Sequence, residues 1–239
     1  MAIKGILFDL YGTLIDIETD ESLEEIYRGI AHFLTYQGVY FHRWEVRDRY
    51  YQIMKRQKEE SGEKYPEINV EAIWNAFLKQ QGISSACARR RLAGTLAQMF
   101  RGISRKRLDL YPSVKGVLDE LISSYRPGLI SDAQPCYALP EIRAVGLEDY
   151  FDPIIISADY GFRKPDPRLF LKALEVMSLT PEEVVFVGND MYRDIYGASM
   201  LGIKTIFFAS KQGNQTYEGI SPNYVVTQFG DVLKIVESL

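Results

Sequence analysis

Several acidic, hydroxyl and basic residues of this chain stand where they could carry out chemistry. Asp9 directly follows a short apolar run at residues 6–8, and Thr13 comes four residues later. A carboxylate at the end of a buried strand is a candidate nucleophile or metal ligand. It is equally a candidate for capping a helix that follows the strand. The first interpretation requires other reactive groups close to Asp9, whereas the second does not.

Further polar residues follow later apolar runs of the chain. They are Ser131 and Asp132, Arg163 and Lys164, and Asn189, Asp190 and Asp194. Because the carboxyl ends of parallel strands share one edge of a sheet, we expect these residues to converge on Asp9. Together they would suit the binding of an anion and a metal ion. Taken singly, Ser131 could be a turn residue, Lys164 a solvated charge and Asp190 a helix cap, a role that does not exclude metal binding.

The elements that would position these residues alternate regularly from residue 111 onward. A first strand is predicted near residues 3–8, and later strands are predicted at residues 128–131, 153–157, 184–188, 204–208 and 224–226. Segments of helical periodicity separate these strands, including one near residues 192–201. This succession predicts an α/β fold with a doubly wound parallel sheet.

A long segment of helical periodicity lies between the first strand and this alternation. We predict four helices there, with Ser22 capping the first and Asn69 capping the third. The segment contains no convincing strand, so we interpret residues 16–108 as an all-helical insertion. Residues 1–15 and 109–239 would then form the α/β core domain, and the insertion could cover the strand ends like a lid. Its basic residues Arg101 and Arg105 are expected on a solvated face, with contact to an anionic substrate as the alternative.

Composition and charge exclude several classes of function. The net charge of −4 argues against a nucleic-acid surface. The two cysteines form neither a metal pattern nor a disulfide pattern, which favours a reducing, cytoplasmic setting. The predicted first strand leaves no room for a signal peptide, and no apolar run approaches the ~20 residues that span a bilayer. We therefore expect a soluble protein that acts on a small molecule. Its oligomeric state is not predicted.

Four motifs of the chain resemble those of the haloacid dehalogenase-like (HAD) hydrolase superfamily, in the same order. They are Phe8-Asp9-Leu10-Tyr11-Gly12-Thr13-Leu14, Ser131, Lys164-Pro165-Asp166, and Val187-Gly188-Asn189-Asp190-Met191-Tyr192-Arg193-Asp194. The insertion resembles the helical cap of that superfamily. The resemblance covers essentially the whole chain and implies a Rossmann-like core.

The resemblance also implies a mechanism and a set of site residues. Asp9 would attack the substrate and form a covalent aspartyl intermediate, which water would hydrolyse. Thr13 and Ser131 would bind the transferring group, and Lys164 would neutralise its charge. The catalytic set would further include Tyr11, and the substrate would be bound by Gly12, Asp132 and Arg163. In phosphatases of this kind Mg²⁺ is bound too, here by Asp9, the carbonyl of Tyr11, and the acidic region Asn189, Asp190 and Asp194.

Two departures from the superfamily pattern leave the reaction open. Most of its phosphatases have an aspartic acid at the position of Tyr11, where it protonates the leaving group; a phenol of pKa about 10 is a poor substitute. Tyr11 matches the 2-haloacid dehalogenases, whose halide needs no proton, and would also suit acyl phosphates. Asn189 replaces another common aspartate, although Asp190 and Asp194 retain an acidic character that dehalogenases do not need. We favour a Mg²⁺-dependent phosphohydrolase over a dehalogenase, and over a binding protein with weakened catalysis.

Overall fold

The computed structural model describes residues 2–239, and its largest element is a six-stranded parallel sheet. The strand order is β5-β4-β1-β6-β7-β8. The strands are β1 (Gly5–Phe8), β4 (Arg126–Ser131), β5 (Ile154–Ile156), β6 (Val184–Gly188), β7 (Lys204–Phe208) and β8 (Tyr224–Val226). The order reverses at β1, which lies between β4 and β6. Ligands of open α/β sheets bind beside such a reversal, beyond the carboxyl ends of the strands.

Helices cover both faces of this sheet. They are α5 (Val114–Leu121), α6 (Pro135–Ala144), α7 (Pro167–Met177), α8 (Gly197–Ser199) and α9 (Asp231–Glu237). Apolar residues of α5, α6 and α9 form a buried cluster with one face, whereas α7 and α8 pack on the other. Strands buried on both faces are uniformly apolar, as β1 and β6 are. The predicted doubly wound α/β fold is confirmed.

The predicted insertion contains the four expected helices. They are α1 (Glu24–Tyr36), α2 (Arg43–Glu60), α3 (Val70–Gln80) and α4 (Ala86–Ser104). They enclose a hydrophobic cluster of their own, in which Trp74 contacts the rings of Tyr50, Phe77 and Phe100. Among residues 2–239, no helix has the length and apolar character needed to cross a membrane.

One of the two predicted helix caps is confirmed and the other is wrong. The side chain of Asn69 accepts a hydrogen bond from the backbone N–H of Ala72 at 2.8 Å, as expected for the cap of α3. Ser22 does not cap α1, because the helix begins one residue later and Leu23 occupies the cap position. The N–H and the hydroxyl of Ser22 both donate to Asp20 instead. Such local hydrogen bonds of a serine compete with helix capping.

The prediction that residues 16–108 hold no strand is wrong at both ends of the segment. β2 (Ile15–Thr19) and β3 (Arg105–Leu110) pair as an antiparallel ribbon. Apolar and charged residues alternate in β2, but such a short pattern forms a strand only when a distant partner meets it. The predicted domain boundaries fall inside these two strands, so the division into domains stays a prediction.

The helix predicted near residues 192–201 is also different in the structure. A π-helical turn, Met191–Tyr196, comes first and is followed by the short α8. In this turn the side chain of Asp194 folds back, and its Oδ2 accepts from the N–H groups of Asn189 and Asp190 at 3.0 Å each. π-helical turns are frequent at functional sites. This one brings a carboxylate to the end of β6.

A loop of the insertion binds the core through its backbone. The carbonyl of Tyr65 accepts from the N–H of Arg163 at 2.9 Å, and the N–H of Glu67 donates to the carbonyl of Gly161 at 3.0 Å. The side chain of Gln134 adds hydrogen bonds to the backbone of Ile68 and Val70. We call this contact the loop junction. It fixes the insertion directly against the residues that precede Lys164.

Replacing Trp74 by Ala tests whether the insertion unfolds separately from the core. Trp74 is fully buried, so the change should cost about 3–5 kcal/mol of local stability. If residues 16–108 form a separate unit, urea denaturation followed by circular dichroism should show a new early transition. Phe8→Ala, which removes a ring from β1, should instead shift the late transition. Identical single transitions in the two variants would contradict the predicted division.

Candidate active site

A buried lysine joins three strand ends at the carboxyl edge of the sheet. The Nζ atom of Lys164 lies 2.7 Å from Oδ1 of Asp9 and 2.7 Å from Oδ1 of Asp194. It also donates to the carbonyl of Ile130, next to Ser131, at 3.0 Å. Of the residues predicted to converge, Asp9 and Lys164 are in direct contact and Ser131 directly follows the carbonyl that Lys164 binds, whereas the acidic residue in contact with Lys164 is Asp194 and not Asp190.

The opposite charges of this cluster shift the pKa values of Lys164 and Asp194. Burial alone would lower the pKa of Lys164, but Asp194 and Asp9 outweigh it and raise this pKa. Burial raises the pKa of Asp194 to about 6, against the opposing pull of Lys164 and with a smaller contribution from Asp9. Near neutral pH the ammonium is thus charged and Asp194 is largely ionised. An ammonium in contact with Asp9 is well placed to offset negative charge that arrives there.

Thr13 supports the second oxygen of Asp9. Its hydroxyl lies 3.0 Å from Oδ2 of Asp9 and 3.1 Å from the side-chain oxygen of Asn189. Gly12 has a positive φ of 90°, and a Cβ there would lie 2.2 Å from the amide nitrogen of Asn189. Only glycine allows this approach. Gly12, predicted to bind substrate, is seen to bring the first motif against the fourth.

Ser131, Asp132 and Arg163 line the approach to this cluster. The hydroxyl of Ser131 is buried and has no hydrogen-bond partner within residues 2–239. One oxygen of Asp132 accepts from the N–H of Lys164 at 2.9 Å, and Nε of Arg163 lies 3.5 Å from the other. An unpaired buried hydroxyl is costly unless a ligand satisfies it. Ser131 is therefore suited to bind an oxygen of a transferring group.

Asp190 has the structural role that sequence analysis gave as its alternative. It caps the π-helical turn by accepting from the N–H groups of Tyr192 and Arg193 at 3.0 and 2.8 Å. Its other oxygen accepts from Nε of Arg193 and from the N–H of Asn214, each at 3.0 Å. Both oxygens are therefore occupied by protein donors. A direct role of Asp190 in metal binding stays a prediction.

Tyr11 belongs to a cluster that the sequence analysis missed. Its hydroxyl donates to Glu141 of α6, which also accepts from Nε and Nη2 of Arg101 at 2.8 and 3.0 Å and from Nη1 of Arg105 at 3.1 Å. We call these four residues the Glu141 cluster. Burial would raise the pKa of Glu141, but the hydrogen bonds from Arg101 outweigh it and lower this pKa. Burial and the charge of Glu141 raise the pKa of Tyr11.

The expectation that Arg101 and Arg105 lie on a solvated face is wrong for Arg101. Its side chain is only 14% exposed, because it packs over the rings of Tyr11 and Tyr137 while it binds Glu141. Glu141 lies on the buried face of α6 with Tyr137, Ala138 and Ile142. A glutamate on an apolar helix face was the available signal, since buried charges are normally paired.

A small cavity opens beside Tyr11, between the insertion and the core. Its volume is about 280 Å³, and Tyr50, Arg101, Asp132, Tyr137 and Arg163 are among its lining residues. The hydroxyl of Tyr137 is buried there and has no partner in the described part of the chain. A larger cleft lies between the ribbon and the ends of β7 and β8, and none of the strand-end residues Asp9, Ser131 or Lys164 lines it. These three residues do not line the smaller cavity either, but Tyr11, Asp132 and Arg163 do, and each lies within two residues of one of them along the chain.

The donors left for a metal ion are few. Across residues 2–239, no three acidic, histidine or cysteine side chains form a metal-binding group. Every oxygen of Asp190 and Asp194 already accepts from protein donors. The oxygens of Asp9 and Asn189 also accept, from Lys164 and Thr13, but only one hydrogen bond each. With the backbone carbonyl of Tyr11 they form the candidate set. This all-oxygen set meets the minimum for Mg²⁺, which is commonly held by one or two carboxylates, water and substrate phosphate.

Comparison with known proteins agrees with this geometry. A family model described as haloacid dehalogenase-like hydrolase matches residues 3–202. The chain belongs to the haloacid dehalogenase-like hydrolase family. The resemblance drawn from the four motifs is thereby confirmed.

Similar proteins include both phosphatases and dehalogenases. A glyceraldehyde 3-phosphate phosphatase of Pyrococcus furiosus is 35% identical over 117 residues, which are 47% of this chain and 48% of that protein. The chain thus matches about half the length of this curated relative. One from Methanocaldococcus jannaschii is 23% identical over 99% of this chain and 98% of its own length.

Two solved structures share the fold over nearly the whole chain. A 2-haloacid dehalogenase from Pseudomonas syringae has a TM-score of 0.72 at 22% identity, with 99% of each chain covered. A HAD phosphatase from Thermococcus onnurineus has a TM-score of 0.62 at 23% identity, with 98% of each chain covered. At this level of identity these likenesses establish the fold and do not choose between the two reactions.

Replacing Lys164 by Met should destabilise the protein in a pH-dependent way. The change leaves Asp9 and Asp194 buried without a counter-charge, which typically costs about 3–5 kcal/mol. Losing the ammonium also removes the charge that opposes the effect of burial on Asp194, so the pKa of Asp194 should rise further above about 6. The deficit should therefore be full near about pH 7.5 and shrink towards about pH 5, as Asp194 becomes protonated. Urea denaturation at several pH values measures it. Lys172→Met, at an exposed pair, is the control, and a deficit independent of pH would contradict the prediction.

Proposed function

We propose that this protein is a phosphohydrolase that acts on a small phosphorylated metabolite, with Asp9 as its nucleophile. The observation that carries the proposal is the buried ammonium of Lys164, 2.7 Å from the carboxylate of Asp9. A carboxylate that attacks a phosphoryl group is repelled by the charge of that group. A fixed cation at the point of attack offsets this repulsion. The curated relatives named as phosphatases support the same reaction class.

The residues around Asp9 have separate tasks in this reaction. Asp9 attacks phosphorus, forms an aspartyl phosphate and expels the leaving group. Thr13 holds the second oxygen of Asp9, and the unpaired hydroxyl of Ser131 donates to a phosphoryl oxygen. Water then adds to phosphorus, the carboxylate of Asp9 departs, and the protons of the water remain on the product phosphate. Lys164 stays charged throughout and stabilises the anion in each step.

Mg²⁺ is the cofactor that we propose for this site. Asp9, the backbone carbonyl of Tyr11 and the side chain of Asn189 would hold it. When bound, it would withdraw charge from the phosphoryl oxygens. Asp194 would act from further away, by holding Lys164 and the backbone at Asn189. We place the reaction in the cytoplasm, in line with the unpaired cysteines.

A 2-haloacid dehalogenase is the second candidate, and Tyr11 is the observation that favours it. The hydroxyl of Tyr11 donates to Glu141, so its proton is not free for a leaving group. Halide leaves without a proton. The same Asp9 would then attack carbon, and water would hydrolyse the resulting ester.

A substrate panel distinguishes the two reactions. Alkyl, aryl and acyl phosphates and 2-haloacids are assayed for phosphate and halide release, each with Mg²⁺ and with chelator. We expect phosphate release that depends on Mg²⁺, and halide release that persists in chelator would overturn the proposal. Asp9→Asn should lower the rate by at least about 10³-fold, as the loss of a covalent nucleophile typically does. A trapped adduct on Asp9, located by mass spectrometry, would identify the nucleophile, whereas unchanged turnover in Asp9→Asn would exclude it.

Asn189→Asp should strengthen the binding of Mg²⁺. The change adds a carboxylate to a donor set that has only one, and Mg²⁺ prefers charged oxygen ligands. It also adds a buried negative charge near Asp9 and Asp194, so the metal-free variant should melt at a lower temperature. Calorimetric titration and thermal melting measure the two effects. Glu182→Gln, on a surface turn, is the control. Equal Mg²⁺ affinity in the variant and the native protein would remove Asn189 from the proposed ligand set.

A further inference from the structure

Tyr11 occupies the position at which most phosphatases of the superfamily have the aspartic acid that protonates the leaving group. Tyr11 stands two residues after Asp9, but its hydroxyl donates to Glu141. Glu141 in turn accepts hydrogen bonds from Arg101 and Arg105. A leaving group beside Tyr11 therefore meets no acid in the Glu141 cluster.

Instead of an acid, the Glu141 cluster places positively charged guanidinium groups beside Tyr11. The Glu141 cluster contains two guanidinium groups and a single carboxylate, which leaves one unit of positive charge in excess. Arg101 binds Glu141 through Nε and Nη2, and its Nη1 donates to no other residue of the described chain. Its guanidinium lies 5.4 Å from the ring centre of Tyr11 and lines the cavity.

A second unsatisfied donor lines the same cavity. The ring of Tyr137 lies under the guanidinium of Arg101 at 5.1 Å, its side chain is largely buried, and its hydroxyl has no partner within residues 2–239. A buried hydroxyl without a partner costs free energy that a bound ligand recovers. The cavity therefore offers an oxygen of the leaving group the hydroxyl of Tyr137 and the guanidinium of Arg101, whereas Arg163 is paired with Asp132. The carboxyl groups of Glu21 and Glu67 line the cavity too, and burial raises the pKa of each.

We infer that Arg101 binds the leaving group as an anion, and that the substrates are phosphates of acidic leaving groups, with acyl phosphates foremost. This inference rests on the proposed phosphohydrolase function. In the first step the bond from Asp9 to phosphorus forms, and the bond from phosphorus to the leaving oxygen breaks. The electron pair stays on that oxygen, which departs as a carboxylate and takes up no proton. Arg101 and Tyr137 stabilise the charge that develops on it.

The leaving group's acidity gives a direct test. We would measure kcat/KM for acetyl phosphate, phenyl phosphate and glycerol phosphate, whose leaving groups run from a carboxylic acid of pKa about 4, through a phenol of about 10, to a much weaker alcohol. Because a general acid typically contributes about 10²–10⁴-fold, glycerol phosphate should fall at least about 10²-fold behind acetyl phosphate. In Tyr11→Asp, the difference in kcat/KM between acetyl phosphate and glycerol phosphate should become smaller, because an aspartic acid can protonate the leaving group.

Variants of Arg101 then test whether this residue stabilises the departing anion. Arg101→Gln should lower kcat/KM more for phenyl phosphate than for acetyl phosphate, because the poorer leaving group carries more charge when it departs. Arg101→Lys should restore part of this loss. The double variant Arg101→Gln with Glu141→Gln removes both charges of the pair, so Glu141 is not left as an unpaired buried charge. It should still lose more kcat/KM with phenyl phosphate than with acetyl phosphate. Thermal melting checks that its fold is intact. Arg90→Gln, exposed on the same helix, is the control.

The outcomes separate this inference from the function on which it rests. Phosphate release at rates independent of leaving-group acidity would overturn the inference and leave the phosphohydrolase in place. An equal loss for all substrates in Arg101→Gln would reduce Arg101 to a positioning residue, and would also overturn it. Release of phosphate from none of the substrates would overturn the proposed function, and the inference with it.

Discussion

The ammonium of Lys164 is the one charge on which the other groups of the site depend. It is buried at the carboxyl edge of the sheet and contacts carboxylates that come from the ends of β1 and β6. Without this counter-charge, two carboxylates would be buried together unpaired, which is costly. The same lysine contacts Asp9 and, through Asp194, is tied to the π-helical turn. The candidate nucleophile and the local fold therefore depend on the same ion pairs.

The sheet and the strand-end residues could be predicted because they depend on local patterns. Apolar runs such as β6 and the helix-period segments between strands are visible in any short window of sequence. The place of Asp9, Lys164 and Asp194 then follows from one property of parallel sheets, the common edge of their carboxyl ends. The order of the four motifs also indicated the family. These inferences needed no knowledge of which distant residues meet.

What the sequence did not reveal depends on contacts between distant segments. β2 and β3 mix charged with apolar residues instead of forming apolar runs, and they become strands because the two ends of the insertion meet. The Glu141 cluster joins residues from β3, α4, α6 and the first motif, so no local pattern contains it. The start of α1 one residue after Leu23, which leaves Ser22 outside the cap position, is likewise a choice that propensity alone does not decide. The cap role of Asp190 is local and was predicted, but its hydrogen bonds with Asn214, far along the chain, were not.

The loop junction has a consequence for how substrate enters. Arg163 gives its backbone N–H to the carbonyl of Tyr65, and the next residue is Lys164. The insertion therefore cannot move away from the core without releasing the backbone one residue before Lys164. An open form of the protein, ready to admit substrate, would hold Lys164 less firmly against Asp9. Substrate would then enter an open conformation, whereas Lys164 would contact Asp9 firmly only in the closed one. The protein would become reactive only after the insertion has closed over the substrate.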